Sequence, residues 1–373
     1  MSSHCRTHSD LLALLRTLSR GNTFPPLCHF DDRQIRWIIK TGLAPLFCFV
    51  SRNNSNGCAL GAWRELKAAD LSIRVVNEVQ LETLGEIINR CKDVLPPITL
   101  LKGCSIGSEF YPESQLRVMR DLDLLVEPKE QPILESLLLE MGFRQQSTNS
   151  PAYYLTHHHS MPFFHPSRGV WVEVHRGLFP FREKLARLPV FSRENIAAES
   201  KLSLLKETPV MRLSAELQVV YTASHWALGL MDLKYEGGLF GLLDIVYILR
   251  GSQQNIRWDL IFNWVGRSVA ATHLYLVLSY LHQNDIHHVD KKILQELFDR
   301  QRSFGIFNLK VAHHLITRYL VAGKVPIAQG KLAILWKNLL LDQGPARNLA
   351  SFCKQICRLP STAKSHSELR PLY

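Results

Sequence analysis

Long apolar runs, paired cysteines and internal repeats are all missing from this 373-residue chain. No stretch approaches the roughly 20 consecutive apolar residues that a membrane span requires, so none is expected. The opening residues mix charged and apolar side chains at helical spacing and hold no unbroken apolar core of the kind a secretory signal carries. Eight cysteines stand at positions 5, 28, 48, 58, 91, 104, 353 and 357, none in a CxxC pair and none at zinc spacing. That pattern predicts reduced thiols in a soluble, cytoplasmic protein. No period of about 20–50 residues recurs, which excludes a solenoid. Acidic residues are scarce, 33 against 44 Lys and Arg, for a net charge of +11. Such a balance favours polyanionic partners such as nucleoside triphosphates, RNA or an acidic membrane face, without choosing among them.

What is present reads as a globular chain of two or three domains. Up to about residue 95 the pattern is helical. Ser9 or Asp10 caps a first helix with Leu11, Leu14, Leu15 and Leu18 on one face. Asp31 caps a second, with Ile35, Ile38 and Ile39 inward and Gly42 beyond its end, and an amphipathic stretch runs from Trp63 to Ile88. Pro96-Pro97 closes this part. Ile98 to Leu101 and Asp121 to Val126 then read as strands, Lys129 to Met141 as a helix with Gly142 as its cap. Met161 to Phe164 and Val170 to His175 flank a turn at Pro166-Ser167-Arg168-Gly169. From Leu213 helices return, over Gln218–Leu228, Leu239–Leu249, Trp258–Val269 and His273–Leu281. The expected division is an N-terminal helical region at 1–95, an α/β core at 96–205, a helical bundle at 206–346 and a basic tail at 347–373.

The strongest chemical signal is Asp121-Leu122-Asp123. Side chains alternate along a strand, so both carboxylates share a face while Leu122, Leu124 and Val126 take the other. Paired carboxylates raise each other's pKa unless a cation lies between them, and Mg2+, which shares hard oxygen ligands with phosphates, is the usual one. Lys102-Gly103, ending the preceding strand, offers a charge and a close backbone approach to phosphate. Arg117 and Arg120 could add charge-assisted donors. In Val170-Trp171-Val172-Glu173-Val174-His175 the valines share one face and Glu173 lies on the other with Trp171 and His175. A third carboxylate there is what a two-metal phosphoryl or nucleotidyl transfer site needs.

These motifs together (Leu101-Lys102-Gly103, Tyr111-Pro112, Leu116-Arg117, Asp121 to Val126, Val172 to His175) resemble the signature of the uncharacterised nucleotidyltransferases of the DNA polymerase β superfamily. Trp37 to Pro45 resembles that family's amino-terminal helix, and His225-Trp226 with Leu243-Asp244 its carboxy-terminal helices. Gly103 is followed by Cys104, where the wider superfamily has Ser or Gly. The resemblance implies an α+β fold, a small mixed-sheet nucleotidyltransferase core flanked by N-terminal and C-terminal helical regions. It implies Asp121, Asp123 and Glu173 as ligands of Mg2+ or Mn2+, with Lys102, Gly103 and Arg117 at the triphosphate, where the residue reading also puts Arg120. The expected reaction moves a nucleoside monophosphate to a hydroxyl of a small molecule, peptide or RNA. Two rivals stand beside it: an inactive nucleotide-binding or scaffold protein, and a toxin-like RNA-modifying enzyme.

Other residues read more plainly. His157-His158-His159 is expected as a partly exposed strand, where alternation lets at most two rings share an ion. His225 and Asp244 fall in helices that could reach back to the site. Trp63, Trp226, Trp258 and Trp264 have core spacing, and Ser105 with Ser108 starts the helix after Gly103.

Overall fold

The computed structural model describes residues 12–13, 15–19, 32–51, 60–181, 183–231, 238–252, 256–301 and 303–322. The Ser9, Asp10 and Asp31 caps and the basic tail at 347–373 lie outside them. Helix α1 (Asp32–Lys40) buries Ile35 and Ile38, and Gly42, at φ +75°, turns the chain into α2 (Ala44–Val50). Helix α3 (Leu60–Cys91) is 32 residues long and joins two cores. Its first half puts Leu66 and Ile73 among the helices, and its second half puts Leu84, Ile87 and Ile88 against the sheet.

Among the described residues the sheet has seven strands in the order β3-β4-β5-β2-β1-β7-β6. In chain order they are β1 (Thr99–Leu100), β2 (Leu122–Leu125), β3 (Arg144–Gln145), β4 (Phe163–His165), β5 (Val170–His175), β6 (Ser200–Leu205) and β7 (Thr208–Leu213). Helix α4 (Lys102–Phe110) leaves β1 directly, and α5 (Gln131–Glu140) links β2 to β3. The hairpin β4–β5 turns at Gly169, φ +67°, and α5 ends before Gly142, φ +90°, both where the sequence put a turn or cap. Leu122, Leu124, Val170, Val172 and Val174 pack with Leu134 and Leu138 of α5 and with α3, so β2 and β5 turn an apolar face to these helices.

The hairpin β6–β7 is absent from the sequence reading and crosses residue 205, where that reading ended the α/β core. β7 runs parallel to β1, so the hairpin belongs to the same sheet. Helices α6 (Pro151–Leu155) and α7 (Arg193–Ala198) fill loops, and α8 (Ala215–Met231) through α13 (Ile306–Ala322) form the C-terminal layer. The stretch read as one helix from Trp258 to Val269 is divided. Gly266, at φ +47°, ends the helix Trp258–Val265, and the Ser268 side chain caps a new one, Val269–Gln283. Trp226 is fully buried, and Trp63, Trp258 and Trp264 flank the same core. No helix among the described residues is long and apolar enough to cross a membrane.

Candidate active site

The polar face of the sheet is centred on the pairing of β2 with β5. These strands are parallel, with Asp123 level with Glu173 and Leu125 level with His175. Since leucines and valines take the apolar face at every second position, Asp123, Glu173 and His175 emerge together on the opposite one. Asp123 is 1% exposed, and Asp121, just before the strand, is partly buried. The three carboxylates named from sequence therefore converge, and they interact strongly enough to shift one another's ionisation.

Asp123 is the electrostatic hub. Its Oδ1 accepts from Lys102 Nζ at 2.7 Å and from His175 Nε2 at 2.8 Å. Burial opposes its charge, but the Lys102 ammonium and the His175 hydrogen bond hold its pKa well below the usual carboxylate range. Glu173, whose Oε2 is 3.6 Å from His175 Nε2, is also held low, to about 2, against burial, by His175 and then by Lys102. Burial and the charges of Asp123 and Glu173 push Asp121 the other way, to about 7. His175 is raised, its burial overcome by Asp123 and Glu173. On α8, His225 is kept neutral, its pKa lowered to about 3 by burial and then by the charge of Lys102.

The residues expected at the triphosphate have different fates. Lys102 opens α4 with φ +46°, a conformation costing a non-glycine residue about 1–3 kcal/mol. Its ammonium lies on Asp123, and that ion pair offsets part of the strain. Gly103 follows in the first turn and is buried. Arg120 is exposed at the approach to β2. Arg117 grips Asp244, with Nε at 3.2 Å from Oδ1 and Nη2 at 2.8 Å from Oδ2, and also donates to the Val118 carbonyl. Ser105 and Ser108 lie inside α4 rather than at its start, and the Ser108 hydroxyl donates back to the Cys104 carbonyl.

A Cβ on Gly103 would stand 2.8 Å from Arg117 Nη1 and 3.1 Å from Met119 Cγ. Arg117 is a long side chain, but two partners hold it, so it cannot yield freely. Gly103→Ala is expected to cost about 1–3 kcal/mol, the usual overpacking penalty, seen as a lower urea midpoint. An unchanged midpoint would mean that the guanidinium moves aside.

Several positioning residues escaped the sequence reading. On α3, buried Asn77 donates to the carbonyls of Gln115 and Arg117 and accepts from the Met119 amide, while Gln80 donates to the Met119 carbonyl. These bonds fix the loop that delivers Asp121, and polar residues in a long helix carry no signal of such a task. His175 had been placed on the right face but given no role. The His157–His159 segment is a bend after α6, not a strand, and its last residue, His159, bridges to His175 of the sheet. That bend lets all three rings converge, contrary to the expectation from alternation.

The donor set suits a divalent ion. Asp123, Glu173 and His175 each offer a ligand atom within 4.8 Å of the others, and His175 Nδ1 is buried with no partner among the described residues. Carboxylate oxygens favour a hard ion, with the imidazole nitrogen also open to softer ones. Neither the curated proteins nor the solved structures contain a match to the chain. A family model described as an uncharacterised nucleotidyltransferase matches residues 31–284, a span that takes in every residue of this site, and the chain belongs to that family.

Proposed function

We propose that the protein transfers a nucleoside monophosphate from a nucleoside triphosphate to an acceptor hydroxyl, with Asp121, Asp123 and Glu173 holding Mg2+ or Mn2+. What supports this most is the level pairing of Asp123 with Glu173 on adjacent parallel strands, with Asp121 at the entrance. When bound, the metal supplies positive charge that neutralises the triphosphate and lowers the pKa of the attacking hydroxyl.

The chain's own groups perform the rest. The acceptor oxygen bonds to the α-phosphorus as the bond from that phosphorus to the bridging oxygen breaks, and pyrophosphate leaves. Glu173 orients the acceptor hydroxyl and takes its proton as the new bond forms. With a pKa near 2 it is an ionised ligand first and a weak base second. Lys102 turns from Asp123 toward the leaving pyrophosphate, joined by Arg120 and by the amides of the first turn of α4. The test is release of pyrophosphate from labelled triphosphates in the presence of Mg2+ and a cell extract as acceptor source. No release with any triphosphate would overturn the reading.

Asp121 gives the site a pH dependence. With its pKa near 7, a metal must displace a proton from it in mildly acidic solution. Mg2+ affinity is expected to rise about tenfold per pH unit up to about pH 7 and to level off above it. Calorimetry at pH 6 in buffers of different ionisation enthalpy should report about one proton released per ion bound. A flat affinity between pH 6 and 8 would remove Asp121 from the metal.

One observation favours the inactive reading. Lys102 and His175 already neutralise Asp123, which a nucleotide-binding scaffold without turnover could retain as an internal ion pair. Calorimetry separates the two, since triphosphate binding without pyrophosphate release supports the scaffold.

A further inference from the structure

Three histidines outside the proposed transfer stand against its acidic residues, and we propose that His157, His158 and His159 form a site for a zinc-class divalent cation. The inference does not depend on nucleotidyl transfer. Three consecutive residues on a strand could not all share an ion, but here the chain leaves α6 and bends before rejoining β5. The ring centroids are 4.3 Å apart for His157 and His158, 4.3 Å for His157 and His159, and 4.9 Å for His158 and His159. One ring nitrogen of each lies within 4.8 Å of those of the other two. Tetrahedral zinc needs nitrogens about 3.4 Å apart, given Zn–N bonds of about 2.0–2.1 Å, so small ring rotations complete the site.

Hydrogen bonding leaves the required lone pairs open. His159 Nδ1 donates to the Ser160 carbonyl at 2.7 Å, a bond that fixes the tautomer and leaves Nε2 as an acceptor. Glu173 Oε2 is 3.7 Å from that Nε2, beyond hydrogen-bond length, and lends negative charge without occupying it. Nδ1 of His157 and Nδ1 of His158 are buried with no partner among the described residues, and His158 is 9% exposed. Histidines kept only for packing would leave those nitrogens unsatisfied, which native interiors avoid. Burial first, then neighbouring positive charge, keeps His158 neutral, and His157 is lowered to about 4, so neither has a proton to surrender to a metal at neutral pH.

The bend is held before any ion arrives. Arg176 donates through Nε and Nη2 to the His157 carbonyl and through its amide to the His158 carbonyl, and the Ser160 amide donates to Val174. Three nitrogen donors select zinc, or its cobalt surrogate, over the hard Mg2+ expected at the carboxylates. Tetrahedral coordination by three histidines would leave a fourth position for water.

The experiment titrates the metal-free full-length protein with Zn2+ by calorimetry in the presence of excess Mg2+. Co2+ serves as an optical reporter, because tetrahedral nitrogen coordination gives strong visible absorption. One equivalent is expected to bind. His157→Ala and His158→Ala should each weaken it by about 100-fold, while Asp123→Asn leaves it within about threefold. His157 is partly exposed, so its variant decides the matter if the His158 variant fails to fold. Zinc that persists in both histidine variants and is lost in Asp123→Asn would overturn the proposal, as would the absence of binding.

Discussion

Asp123→Asn should lower pyrophosphate release by about 1000-fold while leaving the protein folded. Asparagine keeps the volume and can still accept from Lys102, so the packing of β2 is preserved. What it loses is the charge on which Lys102 and His175 converge at 2.7 and 2.8 Å. Removing one preorganised electrostatic partner from a water-poor site typically costs about 10²–10³ in rate, and here a metal ligand is lost as well. Breaking a buried ion pair costs about 3–5 kcal/mol when the remaining charge stays trapped. Lys102 is not trapped, since its side chain is 20% exposed and can move toward water, so the stability loss falls at or below the lower end. The decisive pair of measurements is turnover with labelled triphosphate and the urea midpoint of the same sample. Activity near the parent level in a folded Asp123→Asn protein would remove the central residue from the mechanism.

How much of this could be read from the chain alone follows from which forces are local. The valine alternation at 170, 172 and 174 forces Glu173 and His175 onto one face, and Asp121-Leu122-Asp123 does the same for its carboxylates. Both readings needed only the period of a strand. That Asp123 stands level with Glu173 depends on a parallel pairing across 50 residues, which no local pattern encodes. The hairpin β6–β7 was hidden for a different reason. Its turn holds Lys206 at φ +56° where a glycine or asparagine would have announced it, and Leu202 and Leu204 face solvent on the edge strand. The histidine run misled because alternation was applied to a bend. Arg117 pairs with a carboxylate 127 residues away, a contact that no local pattern announces.

That last contact carries the second large effect. Asp244→Ala should destabilise the protein by about 3–5 kcal/mol, the usual cost of removing one partner of a buried ion pair. Asp244 is 2% exposed and the Arg117 side chain 16%, so water cannot readily replace the missing carboxylate. Tyr111 is orphaned too: its hydroxyl donates to Asp244 Oδ1 at 2.9 Å, and its ring stacks on Tyr247 at 4.1 Å. The carboxylate thus joins the helix Gly238–Gly251 to the loop that precedes β2, and through Arg117 it braces Gly103. Arg117→Ala should also be costly, but the double variant should cost clearly less than the sum of the two, because neither charge is then stranded. A folding titration of all four proteins measures that coupling, and additive losses would show that the pair does not act as a unit. If Arg117 also serves the triphosphate, Arg117→Lys will raise KM as well as lower the stability. If it only clamps the helix to the loop, the lysine variant loses stability and leaves KM unchanged, since a point charge cannot reproduce the two-pronged grip.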